Sequence, residues 1–336
     1  MNKITDTTID FVNYKNAILN KMCGYNPERI IKDEYRNHAY EDKLFYEMSA
    51  IYRDNQYRES CVIPNLDKEF KELVETFVKT MEANFDKEDL QNMYRNIETL
   101  DIKFFNEFKK MFSKDRNNLG TYTSDNLIKL KRKVYEDVIF HELLHTASTK
   151  VDQEGVYSSG FKRSYNKIML GKYLNEGYTD LLMKRLFKKY GPYKYEVLIV
   201  EALEKIIGKE KMQKLYLNGD SVGLIAELEQ YTLINNIVLF DCALSFLQNN
   251  DLTQEEIDHL RKQIVIFLLI IFINKNKDKE SFLDDYTNYI SFLNSLFFTV
   301  KNRNGEKNIT LMSEQITEDL IDLSELGIKK DLKKTS

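Results

Sequence analysis

Residues 134–149 read VYEDVIFHELLHTAST, and the fold and chemistry of the chain turn on this stretch. Val134 and Val138 stand four apart and, with Leu144, are expected to pack inward in a helix from Val134 to about Thr149. Inside it stands His141-Glu142-Leu143-Leu144-His145, an HExxH motif. Residues four apart on a helix lie one turn apart on one face, so both imidazoles can present a ring nitrogen to one Zn²⁺ at about 2.0–2.1 Å. Glu142 is displaced one step round the helix, where it can reach an attacking water and take its proton. The chain has four histidines in 336 residues, and half of them are spent here. The bland alternative is a helix with two incidental surface histidines.

A catalytic zinc needs a third protein ligand and an open position. Downstream, Asn175-Glu176-Gly177-Tyr178-Thr179-Asp180 opens a second helix, expected to end before Gly191-Pro192. Glu176 and Asp180 are again four apart, so one helical face can set Glu176 on the metal and Asp180 against a liganding imidazole, fixing its tautomer. Taken alone, Glu176 would be an ordinary first-turn acid favoured by the helix dipole. Joined to HExxH, it becomes the expected third ligand.

HELLH followed by NEGYTD resembles the gluzincin zinc metallopeptidases, which include thermolysin-like and aminopeptidase-like enzymes, over about residues 120–190. The resemblance implies one zinc per chain held by His141, His145 and Glu176, with Glu142 as general base and Asp180 orienting a histidine. It also implies that a short strand before the HExxH helix, Asn126 to Leu130, binds substrate by backbone pairing. The gap from His145 to Glu176 is 176 − 145 = 31 positions, longer than in the familiar gluzincins, and it contains Gly155-Val156-Tyr157-Ser158-Ser159-Gly160-Phe161. An inserted hairpin beside the cleft is expected there. No GxMEN motif lies upstream, so an endopeptidase is favoured over an aminopeptidase, with a peptide or protein as substrate.

Three rivals stay open: a zinc hydrolase of another polarised carbonyl, a catalytically silent gluzincin-like binding or regulatory protein, and a toxin-like effector protease. The intact Glu142 favours turnover, because a silent scaffold has no chemical use for a base. A donor to the developing oxyanion is also expected, and Tyr157, Tyr165, Tyr178, Tyr231 and His259 are the candidates. His38 lies in a polar helical stretch and reads as solvent-facing.

The rest of the composition narrows the class. With 49 basic against 53 acidic side chains and a net charge of −4, the chain lacks the basic excess of a nucleic-acid binder. The cluster Lys129, Lys131, Arg132 and Lys133 reads as a solvated face. Only 3 prolines and 12 glycines occur, which predicts a mostly helical chain. Cys23, Cys61 and Cys242 show no CxxC spacing and read as reduced thiols. P-loop, GxGxxG and GxSxG motifs are all missing. Asp6 and Asp10 interrupt the N-terminal segment where a signal peptide would be apolar, and the run Ile264 to Ile273 is too short to span a bilayer. A cytoplasmic protein with no membrane partner is therefore expected, with export by a route needing no signal peptide left open.

The expected architecture is α+β and predominantly helical, with a zincin-like core. Residues 1–115 form a helical N-terminal region, 116–190 the catalytic core with its small sheet and HExxH helix, and 191–336 a helical C-terminal subdomain. Thr121 to Thr123 and Asn126 to Leu130 read as strands, Asp251 or Thr253 as a helix cap, and Asn304-Gly305 as a turn. The oligomeric state is not written in the sequence.

Overall fold

The structure is a computed structural model and describes residues 56–105, 119–123, 125–131, 136–151, 157–165, 168–247 and 252–298. Cys23, His38, Val134, the Arg132-Lys133 pair and the Asn304-Gly305 turn lie outside the described residues. By chain contacts the protein divides into two compact units, Met1–Ser245 and Phe246–Ser336.

Among its described residues the first unit opens with α1 (Lys68–Glu82) and α2 (Gln91–Glu98). Phe70, Val74, Phe77 and Met81 are buried along one face of α1, the three-and-four spacing of an amphipathic helix. Asp67 occupies the N-cap position of α1, but its side chain makes no capping bond.

Helical structure was expected as far as about residue 112, yet Asp101–Phe104 forms a strand, β1. Its partner is distant in sequence: β1 pairs in parallel with β3 (Leu127–Leu130), Asp101 opposite Leu127 and Phe104 opposite Leu130. Local periodicity cannot register such a pairing, because the stabilising contacts are made by residues far along the chain. The edge strand β2 (Gly120–Thr123) runs antiparallel on the other side of β3, giving the order β1-β3-β2. The segment expected to pair with substrate, Asn126 to Leu130, is thus the central strand with both edges taken. β2 is the strand at the border.

The HExxH segment is helix α3 (Glu136–Ser148), inside the expected bounds. It runs straight into an antiparallel sheet of four strands in sequence order: β4 (Thr149–Val151), β5 (Tyr157–Ser159), β6 (Lys162–Tyr165) and β7 (Ile168–Leu170). The expected hairpin is β5–β6, flanked by one further strand on each side. Helix α4 (Lys172–Phe187) carries NEGYTD and is buried on nearly all sides, from Leu174 and Asn175 to Leu182 and Met183. Helices α5 (Lys194–Ile207), α6 (Lys209–Leu217), α7 (Ser221–Glu229) and α8 (Ile234–Leu247) follow.

A chain of buried asparagines ties these layers together. Asn126 Nδ2 donates to the Asn96 carbonyl at 2.6 Å, and Asn96 Nδ2 donates to the carbonyls of Thr146 and Thr149 at 2.8 and 2.7 Å. Thr146 lies in the last turn of α3, where helical partners run out, and Thr149 is the first residue of the strand that follows. Asn96→Ala strands both acceptors in the interior, so unfolding free energy should fall by about 2–4 kcal/mol, read by denaturant titration. A loss below about 0.5 kcal/mol would show that the network carries no stability.

The second unit contains α9 (Gln254–Asn276) and α10 (Phe282–Phe298). Thr253 caps α9 through a reciprocal capping box with Glu256, one of the two caps expected. Ile264, Leu268 and Ile271 are fully buried, and Phe272 stacks on Tyr289 of α10 with ring centroids 4.2 Å apart. Among the described residues no helix is long and apolar enough to cross a membrane.

Candidate metal centre

Aromatic packing sets α3 and α4 side by side. Phe140, immediately before His141, stacks on Phe187 at the end of α4 with centroids 4.5 Å apart, and Phe77 of α1 backs both rings at 6.5 and 5.5 Å. Beyond this apolar base the two motif-bearing faces meet.

His141 and His145 are both buried at 8 % exposure, and their Nε2 atoms lie 3.1 Å apart. Glu176 Oε2 sits 3.1 Å from His141 Nε2 and 3.3 Å from His145 Nε2. The three atoms therefore form a nearly equilateral triangle. Ligands about 2.0–2.1 Å from a tetrahedral metal are separated from one another by about 3.3–3.4 Å, so the donor set has the size of one face of such a coordination shell. These residues are placed to hold a metal ion.

Charge supports the same fit. Glu142, Glu176 and Asp180 surround the two imidazoles, and no Lys or Arg pairs with any of these carboxylates in the described ion pairs. Burial alone would lower the pKa of His141, but the bonds to Asp180 and Glu176 and the nearby Glu142 charge overcome this and raise it to about 10. Burial would raise the Glu176 carboxyl; the charge of His145 and the bonds to both histidines hold it well below the usual range. The metal-free site thus gathers positive charge as protons, in the place where a cation would satisfy the same carboxylates.

Asp180 is 2 % exposed and lies against the first histidine, its Oδ1 accepting from His141 Nδ1 at 2.8 Å. That bond keeps the Nδ1 proton in place and leaves Nε2 free to ligate. Its other oxygen, Oδ2, accepts the Tyr193 backbone N–H at 2.9 Å. Gly191 packs directly on this carboxylate, and a Cβ there would overlap all three of its heavy atoms, so the loop from α4 to α5 needs glycine at this contact.

That loop delivers a residue that no local feature of the sequence singles out. The Tyr193 ring stacks on His141 with centroids 5.9 Å apart and planes 21° apart. Its hydroxyl is pushed to higher pKa first by the Glu176 charge, then by burial and by Glu142 and Asp180, which places it in the field of the site. Among 21 tyrosines nothing local marks Tyr193; only the return of the loop onto Asp180 does. Tyr178 is fully buried and donates to Glu204 at 2.9 Å, Tyr157 sits on β5 with Lys162 Nζ 5.9 Å from its ring centroid, and Tyr231 is half-buried just past α7. Tyr165 lies on β6 and His259 on α9, and their side chains fall outside the described residues.

Glu142 is 7 % exposed, and its Oε2 accepts the Tyr122 backbone N–H of edge strand β2 at 2.7 Å. Burial raises its pKa, the two histidines lower it, and Glu176 raises it again, for a net upward shift. β2 therefore borders the HExxH face, with Gly120 packed against Val138 and Glu142. No family model, no curated protein and no solved structure matches the chain, so its functional reading rests on this geometry.

Proposed function

We propose that the protein is a zinc-dependent metallopeptidase of gluzincin type, built on a zincin-like core and acting as an endopeptidase on peptides or proteins. The observation that carries the proposal is the triangle of His141 Nε2, His145 Nε2 and Glu176 Oε2, with a buried carboxylate, Glu142, beside it on the same helix. Two imidazoles and one carboxylate with an open fourth position suit zinc among the divalent ions. When bound, zinc supplies a Lewis acid that polarises a carbonyl and lowers the pKa of water.

The chain's own residues divide the remaining work. Glu142 takes a proton from the attacking water and returns it to the leaving amine; its upward-shifted carboxyl moves it toward the pH at which both transfers are needed. Asp180 keeps the proton on His141 Nδ1 and holds the ring in its ligating orientation. Tyr193, whose ring stacks on His141 and whose hydroxyl the surrounding carboxylates hold further from ionisation, is the donor assigned to the oxyanion. The border position of β2 gives an extended peptide a backbone to pair with next to Glu142.

The test is cleavage of a peptide library by zinc-loaded protein, with chelator-stripped protein as control. Metal-dependent internal cleavage supports the proposal. Stoichiometric zinc without cleavage of any peptide would favour a silent binding scaffold. Within an active preparation, Tyr193→Phe should lower kcat by about 10²–10³-fold with zinc content unchanged, since only the oxyanion donor is removed. Undiminished kcat would remove Tyr193 from the mechanism.

A further inference from the structure

The proposed chemistry uses three carboxylates, Glu142, Glu176 and Asp180, and a fourth lies behind them without a task. Glu196 stands in the first turn of α5, three residues after Tyr193, which occupies the N-cap position of that helix. Residues three apart share a helix face, so Glu196 follows Tyr193 on the side that carries the tyrosine ring onto His141. Its backbone is seated on α4: a Cβ on Gly177, the residue after Glu176, would come within 2.7 Å of the Glu196 carbonyl and Cβ. With the Tyr193 N–H bonded to Asp180, the start of α5 lies along the part of α4 that bears Glu176 and Asp180.

Glu196 is 5 % exposed, and its carboxylate accepts its own backbone N–H. Other buried acids in the chain have cations, Glu204 from Arg185 and Glu227 from Lys211, but among the described residues no Lys or Arg pairs with Glu196. Burial, with the charges of Asp180 and Glu176, pushes its carboxyl above the ordinary range against the pull of its own N–H. The Tyr193 hydroxyl feels the same charge. A first-turn acid is favoured by the helix dipole, but the dipole asks for charge at the helix end and not for its burial beside like charges.

We propose that Glu196 is a specificity-determining residue that selects peptides with a lysine or arginine side chain next to the scissile bond, the substrate's cation supplying the partner that Glu196 lacks. The proposal rests on the metallopeptidase reading. A carboxylate already stripped of water discriminates well, because a cation completes an ion pair there while a neutral side chain leaves the charge unpaired. Four carboxylates around one divalent ion and two neutral imidazoles also leave the site anionic, which turns acidic side chains away.

The experiment compares matched N-acetylated peptides carrying lysine or norleucine beside the cleaved bond; norleucine keeps the stem without the ammonium, and acetylation removes the α-amine. Zinc-loaded parent should favour lysine by about 10-fold or more in kcat/KM, and Glu196→Gln should bring the two peptides to within about three-fold. The same pair is titrated onto zinc-loaded Glu142→Gln, where turnover is suppressed, and the lysine peptide should bind about 10-fold tighter; adding Glu196→Gln should abolish the difference. A parent that cleaves both peptides alike overturns the proposal, as does a lysine preference that survives Glu196→Gln. If Glu196→Gln does not fold, Glu196→Asp decides, since it keeps the charge at the start of α5 and draws it back by one methylene: an unchanged lysine preference overturns the proposal. A zinc-loaded parent that cleaves no peptide overturns the metallopeptidase reading and this proposal together, whereas cleavage without a basic preference overturns the proposal alone.

Discussion

Glu176→Ala is expected to reduce zinc from about one ion per chain to near none after dialysis against a weak chelator, with affinity falling by roughly 100-fold or more. Its Oε2 is one corner of a three-atom donor set and lies within 3.3 Å of both histidine nitrogens, a place that another carboxylate would have to leave its own partners to fill. Asp180 cannot, because one of its oxygens is held by His141 Nδ1 and the other by the Tyr193 N–H. The metal-free fold should survive: Phe140, Phe187 and Phe77 hold α3 and α4 together on the far side. Removing the carboxylate also removes the bond to His141 and the negative charge that raise its pKa, so the imidazole should lose its proton at lower pH than in the parent. Proton NMR of the histidine ring across pH measures that shift. Undiminished zinc affinity in Glu176→Ala would reject it as a ligand.

The second large effect separates binding from chemistry. Glu142→Gln should retain zinc, because Glu142 is not one of the three donors, while peptide turnover falls by about 10²–10⁴-fold. The amide oxygen can still accept the Tyr122 N–H now bound at 2.7 Å, so edge strand β2 should stay seated on α3. What the amide cannot do is take a proton from water and hand it on. Zinc content measured beside kcat decides: loss of both would mean that Glu142 shapes the site, and loss of neither would end its assignment as base.

Much of this centre was legible because its key spacings are local. His141 and His145, and again Glu176 and Asp180, are each four apart on one helix, and helical geometry alone commits each pair to one face. The same reasoning located α3, α4 and the capped α9 to within a few residues, and the strands β2 and β3. It failed at β1, whose partner is more than 20 residues away, and consequently misjudged β3 as a strand with an edge to offer. Which strand is central depends on pairings between distant segments, and no periodicity within a strand encodes them.

Tyr193 shows the same limit at the site. It reaches His141 by a loop that turns back onto Asp180. The sequence by itself determined the two helices, the three potential donor residues and the carboxylate beside them, since these follow from side chains repeating along a single helical turn. Only the tertiary structure decided that the two helices face each other at ligand distance and which tyrosine stands beside them, because those contacts exist only after distant segments have packed.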